Sequence, residues 1–394
     1  MGRHTRLKEK RKVCVVLTAR TSYTKIKSIL VSLSKIDSIE LQIICAASAI
    51  LERYGNVVKT LLKDNFSVNE SIYMNLESET LLTSAKSVGL GIIEFAGAFD
   101  RLKPNVVLVM ADRFEVIAPA IACTYQNIPL AHVQGGEVTG NIDEKVRHAI
   151  TKLADIHFPS TERARNWLLK MGESNDKIFL TGCPSIDIAK EVITNNKMNF
   201  NLYEKYGGVG DFPDLKNGYI IVMQHPVTTE VNNAKEQVTE TLEALTFIDK
   251  PILWFWPNPD AGSDETSKVL RQYRESKKLK NIHFIKNMEP YDFLSLLYNS
   301  HGIVGNSSVA IRESSYLGVP AVNIGSRQSD RERANNVIDT SYNKTEIYNA
   351  ISSHLNGRIE QSFIYGTGDA GKKIAEILST VNLTYTKKIN YIYD

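Results

Sequence analysis

Short apolar runs alternate with helical stretches along almost the whole chain, and this alternation limits the fold more than any other feature. Val13–Thr18, Leu41–Ala46, Val106–Met110, Pro129–Val133, Ile156–Pro159 and Ile178–Thr181 read as strands. Between them, Tyr23–Ser34, Leu81–Leu102, Phe114–Tyr125, Glu144–Leu153 and Glu162–Lys170 read as helices. Continuously apolar strands are covered on both faces, and crossover helices supply that cover. The pattern lapses over 194–217, where Asn, Gly and Pro accumulate. It restarts with strands at Tyr219–Met223, Ile252–Phe255, Ile282–Ile285, Gly302–Val304 and Ala321–Ile324. At 394 residues the chain is too long for one typical core. The expectation is an α/β protein of two doubly wound, Rossmann-like domains, over 13–200 and 215–380, preceded by a basic tail over 1–12. The terminal segment can pack back on the first domain. Two such domains would face a central cleft at the carboxyl ends of their strands.

Composition enters as a filter on function. Formal charge is +3 with acids and bases interspersed, so no nucleic-acid face is expected. The apolar run Val13–Leu17 is too short for a membrane span or a signal-peptide core, so a cytoplasmic protein without a membrane partner is expected. Cys14, Cys45, Cys123 and Cys183 lack metal-ligand spacing and read as reduced, buried thiols. The turn after the first strand is Thr18-Ala19-Arg20-Thr21-Ser22-Tyr23 and not Gly-x-Gly-x-x-Gly, so no nicotinamide or flavin is expected. No His-x-x-x-His, Cys-rich or Asp-rich cluster marks a metal, and the expected cofactor list is empty.

The polar clusters fall where strands end. Gly302-Ile303-Val304 leads into Gly305-Asn306-Ser307-Ser308, and Val309–Leu317 reads as a helix stopped by Gly318 and Pro320. Such a turn offers backbone N–H groups and two hydroxyls at a positive helix end, which suits a diphosphate. Glu313 would then be within reach of a ribose diol. An ordinary Ser N-cap is the alternative. Arg20, Asp112-Arg113, Gln134-Gly135-Gly136-Glu137 and Gln224-His225-Pro226 make four further clusters at strand ends. Each alone reads as a loop; five facing one cleft read as a site. Asp143 and Arg147, four apart, share a helix face and form either part of that site or an intrahelical ion pair. Arg20, Arg113, Arg147 and Arg327 together could complement a pyrophosphate, because guanidinium forks match phosphate oxygens. Trp254 and Trp256 read as a packed core edge.

These motifs resemble the hydrolysing UDP-N-acetylglucosamine 2-epimerases of sialic-acid-type sugar synthesis, two-domain proteins of GT-B-like fold. The matching residues are Asp112-Arg113-Phe114-Glu115, the block Gly135 to Ala154, Gly182-Cys183-Pro184-Ser185-Ile186-Asp187, Gln224-His225-Pro226-Val227, Asp260-Ala261-Gly262-Ser263, Gly305-Asn306-Ser307-Ser308, Arg312-Glu313 and Gly325-Ser326-Arg327-Gln328. They run in order from about residue 18 to 370. His225-Pro226-Val227 and Gly135-Gly136-Glu137 favour the hydrolysing branch over the non-hydrolysing one. The resemblance implies that Arg20, Arg113, His225, Ser307, Ser308, Glu313 and Arg327 hold UDP. It places Lys25, Asp112, Asp143, Arg147 and Asp187 on the sugar. It also implies a homodimer or homotetramer.

Three positions depart from the family pattern on the sugar side: Ser22 and Gln134 stand where acids are usual, and Ala49 lies where a His-Leu pair is lost. The implied reaction is anti-elimination of UDP to a 2-acetamidoglucal, followed by hydration to N-acetylmannosamine. Asp112 and Asp143 are the expected acid and base, with Glu137 replacing the carboxylate missing at Gln134. A hydrolysing 2-epimerase of a UDP-2,4-diacetamido sugar, a GT-B glycosyltransferase and an inactive sugar-nucleotide sensor are the alternatives.

Overall fold

The structure is a computed structural model and describes residues 9–52, 55–76, 80–111, 113–138, 142–195, 198–227, 229–257, 262–276 and 280–390, the side chains of Thr21, Leu81, Ile142 and Asp143 excepted. The described residues of Met1–Glu137, Asp143–Asp187 and Gly368–Asp394 form one compact unit, and those of Val138–Ile142 and Ile188–Thr367 the other.

The first unit is built on six parallel strands, β1 (Arg11–Leu17), β2 (Ile39–Ala46), β3 (Glu70–Ile72), β4 (Val106–Met110), β5 (Leu130–Val133) and β6 (Ile156–Phe158), in the order β3-β2-β1-β4-β5-β6. Val13, Val15 and Leu17 of β1 pack into one apolar cluster with Ile26, Leu30, Ile374 and Leu378; Cys14 and Val16 pack into another with Phe95 and Phe99. The strand is apolar throughout because both of its faces are covered.

The second unit holds β7 (Val209–Gly210), β8 (Ile220–Met223), β9 (Ile252–Phe255), β10 (Ile282–Ile285), β11 (Gly302–Gly305), β12 (Ala321–Ile324) and β13 (Val337–Thr340). Their order is β13-β12-β11-β8-β9-β10-β7, with β7 antiparallel to β10 and the rest parallel. Both sheets wind outward from a central pair, β1 with β4 and β8 with β11. The crevice beyond the carboxyl ends of such a pair is where doubly wound sheets bind ligands. Among the described residues no helix is long and apolar enough to cross a membrane.

Several sequence expectations need correction. β1 begins at Arg11, so Arg11 and Lys12 belong to the sheet and not to the tail. Ile178 makes only an isolated bridge to His157 in place of a strand. The segment 194–217, read as a junction, contains the helix Leu202–Tyr206 and β7, which completes the second sheet. β3, β7 and β13 were not expected. They lie at sheet edges and are short, and β7 and β13 carry half-buried or exposed residues, so they lack the apolar run that announces a central strand.

The terminal segment lies on the first unit. The helix Ala370–Thr380 buries Ile374, Ala375 and Leu378 beside the helix Arg20–Ser34. A Cβ at Gly371 would stand 2.5 Å from the Ser28 carbonyl carbon, so only glycine permits that approach. Arg11 donates from Nη1 to the carbonyls of Leu378 and Val381 at 2.7 and 3.0 Å, placing a cation at the carboxyl end of that helix. Further on, Lys387 donates to the carbonyls of Thr151 and Ala154 and pairs with Glu173 at 2.6 Å. Burial alone would raise the Glu173 pKa, but His157, Lys152 and Lys387 hold it at about 2.

Candidate active site

In the second unit the residues beyond β8 and β11 are locked together by Asn306. Its Oδ1 accepts from the His225 backbone N–H at 2.7 Å and its Nδ2 donates to the His225 carbonyl at 2.8 Å. Its own carbonyl accepts from Arg327 Nη1 at 3.2 Å and Gln328 Nε2 at 3.0 Å. One asparagine thus fixes the loops after β8, β11 and β12. Gly305, with φ +131, brings the chain against β8 so closely that a Cβ would lie 2.1 Å from the Met223 carbonyl oxygen. Gly325 is glycine for a similar reason: a Cβ there would meet the Tyr342 ring at 2.1 Å.

The run after Gly305 is not one helix. A 3-10 turn, Ser308–Ala310, precedes a five-residue α-helix, Glu313–Leu317. So short a helix aligns few peptide dipoles, and individual groups matter more than a macrodipole. The Ser N-cap alternative also fails, because Ser307 makes no side-chain cap bond. Neither its backbone N–H nor its hydroxyl bonds another described residue. Ser308 accepts from Arg312 Nη2 at 3.0 Å. The Glu313 carboxylate is buried, and its Oε2 has no hydrogen-bond partner. A buried acceptor left unsatisfied calls for a ligand donor or water. His225 is fully buried, and burial together with the nearby Arg327 pushes its pKa down to about 3, so the ring is neutral near pH 7.

In the first unit the ends of β2, β4 and β5 pass directly into left-handed backbone at non-glycine residues, Ala47 (φ 51), Ala111 (φ 62) and Gln134 (φ 66). Such conformations are costly for residues with a Cβ and tend to gather at functional sites. Gln134 donates from Nε2 to Cys183 Sγ at 3.0 Å, and that sulfur lies 3.0 Å from Ser185 Oγ. The sulfur of Cys183 therefore matters, where loop shape alone had been expected. All four cysteines are free and buried.

Arg147 is buried and donates from Nη1 to the Glu137 carbonyl at 2.6 Å. Glu137 itself is buried behind the Gly135-Gly136 turn, and a Cβ at Gly136 (φ +77) would lie 2.3 Å from the Ala164 carbonyl oxygen. Arg113 pairs through Nε with the buried Glu115 at 2.8 Å. Arg20 opens the helix Arg20–Ser34 and lies across Gly55, where a Cβ would stand 2.4 Å from Nη1. Lys25 is half-buried on the same helix. Asp112, Asp260 and the Asp143 side chain lie outside the described residues.

Asp187 is a correction. Its two carboxylate oxygens accept from the backbone N–H groups of Ala370 and Gly371 at 2.9 and 2.7 Å, so it caps the last helix and is not left open for a sugar. Burial raises its pKa against the pull of those bonds.

The UDP-N-acetylglucosamine 2-epimerase family pattern matches residues 32–379 of this chain. The chain belongs to that family. Within it, the chain is 33% identical over 374 residues to a UDP-N,N'-diacetylbacillosamine 2-epimerase (hydrolyzing) of Legionella pneumophila, covering 95% of this chain and 97% of the relative. It is 28% identical over 374 residues to a UDP-N-acetylglucosamine 2-epimerase of Neisseria meningitidis, covering 95% of each. The crystal structure of Methanocaldococcus jannaschii UDP-GlcNAc 2-epimerase in complex with UDP-GlcNAc and UDP has the same fold, with TM-score 0.78 and 24% identity over 93% of this chain and 99% of that one.

For a member of this epimerase family, the sequence reading missed three structural roles. Asn306 was seen as part of a seat and not as the clamp of three loops. Gln328 stood in a motif without a task. His132, fully buried on β5, was not singled out at all. An asparagine directly after a glycine that ends a strand is the one signal that pointed to Asn306.

Proposed function

We propose that the chain is a hydrolysing 2-epimerase of a UDP-linked 2-acetamido sugar, releasing UDP and the 2-epimeric free sugar. The observation that carries this reading is the Asn306-locked His225-Pro226 loop beside Ser307 and the buried, unsatisfied Glu313. Ser307 and Ser308 face the diphosphate, Arg327 neutralises it, and Glu313 accepts from the ribose hydroxyls. Neutral His225 contributes a hydrogen bond to the leaving diphosphate and no charge. Arg20, Lys25, Arg113 and Arg147 act with the carboxylates of the first unit on the sugar side.

The C2–H of an acetamido sugar is not acidified by a carbonyl, so deprotonation must accompany departure of UDP. The C1–O bond breaks, its electron pair leaving on UDP, and a carboxylate takes the C2 proton to give the 2-acetamidoglucal. Protonation at C2 from the opposite face and addition of water at C1 complete the reaction. Asp112 and Asp143 are assigned to these proton transfers, with Glu137 as the third carboxylate. Asp187 leaves the list, given its use as a helix cap.

The 2,4-diacetamido sugar is placed ahead of UDP-N-acetylglucosamine as substrate. The 33% identical relative carries that name, and the departures at Ser22, Gln134 and Ala49 fall on the sugar side. UDP-N-acetylglucosamine is the second reading, favoured by the Neisseria relative. A UDP-release assay with both nucleotides decides between them. Asp112→Asn and Asp143→Asn should each lower turnover by ~10²–10⁴-fold while UDP binding persists. Wild-type turnover in either variant would remove that carboxylate from the mechanism.

A further inference from the structure

The imidazole of His132 lies at the point where three segments of the first unit meet. Its Nε2 is 2.9 Å from the Ala111 carbonyl oxygen, and its Nδ1 is 3.3 Å from Thr151 Oγ1. A carbonyl only accepts, so Nε2 carries the proton. The ring is wholly buried, and burial pushes its pKa down to about 4, which keeps it neutral. In a neutral ring the other nitrogen must accept, so the Thr151 hydroxyl donates to Nδ1.

Each contact leads to a candidate catalytic segment. Ala111 is one of the left-handed residues, with φ 62, and Asp112 follows it directly. Its amide is already held by the Val133 carbonyl at 2.9 Å, so His132 secures the other side of the same residue. Thr151 belongs to the helix Ile142–Leu153, on which Asp143 and Arg147 lie. The Gly135-Gly136 turn rests on the pair as well: a Cβ at Gly135 would come within 3.0 Å of His132 Nδ1 and 3.1 Å of Thr151 Oγ1. That turn leads into Glu137.

We propose that His132 is a positioning residue: through the Ala111 carbonyl, the Thr151 hydroxyl and the bare face of Gly135, it sets the three carboxylate-bearing segments in register. The proposal rests on the epimerase reading above for what those carboxylates do, and on the described geometry alone for how they are held. His132 touches neither substrate nor reacting atoms. Its effect is on the geometry of proton transfer, where a displacement of about 1 Å can lower a rate ~10²-fold.

The test uses the full chain and three substitutions. His132→Leu removes the donor and the acceptor. Thr151→Val removes only the hydroxyl that fixes the tautomer. His132→Gln can present an amide N–H near the position of Nε2 and restore the bond to Ala111.

Two readouts are needed. Amide hydrogen exchange over Ala111–Arg113 and Gln134–Glu137 should accelerate at least tenfold in His132→Leu relative to the second unit's sheet, and recover in His132→Gln. In UDP release, kcat should fall ~10–100-fold in His132→Leu and less in Thr151→Val, with KM and UDP affinity within about twofold of wild type. His132→Gln should regain most of kcat.

Unchanged exchange in folded His132→Leu overturns the proposal. So does unchanged kcat, or a loss confined to KM. If His132→Leu fails to fold, Thr151→Val and His132→Gln decide by the same two readouts. If the wild-type chain releases no UDP from any sugar nucleotide, the epimerase reading fails, and the exchange data alone still decide whether His132 holds these turns.

Discussion

Asn306 and the buried histidines show how much of this molecule depends on single polar side chains placed at strand ends. Asn306 uses both ends of its amide on the backbone of His225, a geometry that neither Asp nor Leu can reproduce. His132 and His225 are fully buried and neutral, with pKa values near 4 and 3 against an ordinary 6.5. Because both folded values are depressed, the unfolded chain binds more protons below pH 6.5, and stability falls as pH falls from 6.5 towards those values. Between pH 6 and pH 5 the pair should remove about 2 kcal/mol from the unfolding free energy. Urea titrations at the two pH values measure this, and replacing both histidines by Gln should flatten the slope. Imidazole resonances titrating near 6.5 in the folded protein would contradict it.

The central strands β1, β2, β4, β5, β8–β12 and the long helices were legible in the sequence because burial on both faces demands continuous apolar runs, and a 22-residue helix such as Leu81–Leu102 repeats its pattern many times. Edge strands carried no such mark, since one side of each is open to water. The ligand-seat motifs were legible as residue types at strand ends, but not as contacts. Nothing in the spacing of Asp187 and Ala370, 183 apart, reveals that one caps the other. Nor does the run Val309–Leu317 disclose that Ser308–Ala310 tightens into a 3-10 turn.

The cap invites a test of its own. Asp187→Asn leaves one acceptor oxygen for two N–H groups and removes an anion from the start of the helix Ala370–Thr380. We expect a loss of ~1–2 kcal/mol in urea unfolding, with turnover largely retained at a temperature where the variant is folded. An unchanged unfolding midpoint together with abolished turnover would instead return Asp187 to the sugar.

At the scale of the whole molecule, two sheets wound from the same kind of central pair give the chain two switch points, each furnished differently. The one in the second unit offers hydroxyls, a buried acid and a neutral imidazole, a set suited to a nucleotide diphosphate. The strand ends of the first unit offer strained turns and the carboxylate-bearing segments, a set suited to moving protons. The account's central claim is that this division of labour performs elimination and hydration at C1 and C2 of a UDP-2-acetamido sugar. Proton NMR of the wild-type protein turning over UDP-2,4-diacetamido sugar and UDP-N-acetylglucosamine in deuterated water tests it most directly. The account predicts release of UDP and a free 2-epimeric sugar carrying deuterium at C2. A free sugar with its original C2 hydrogen would contradict it, as would UDP release only in the presence of an acceptor.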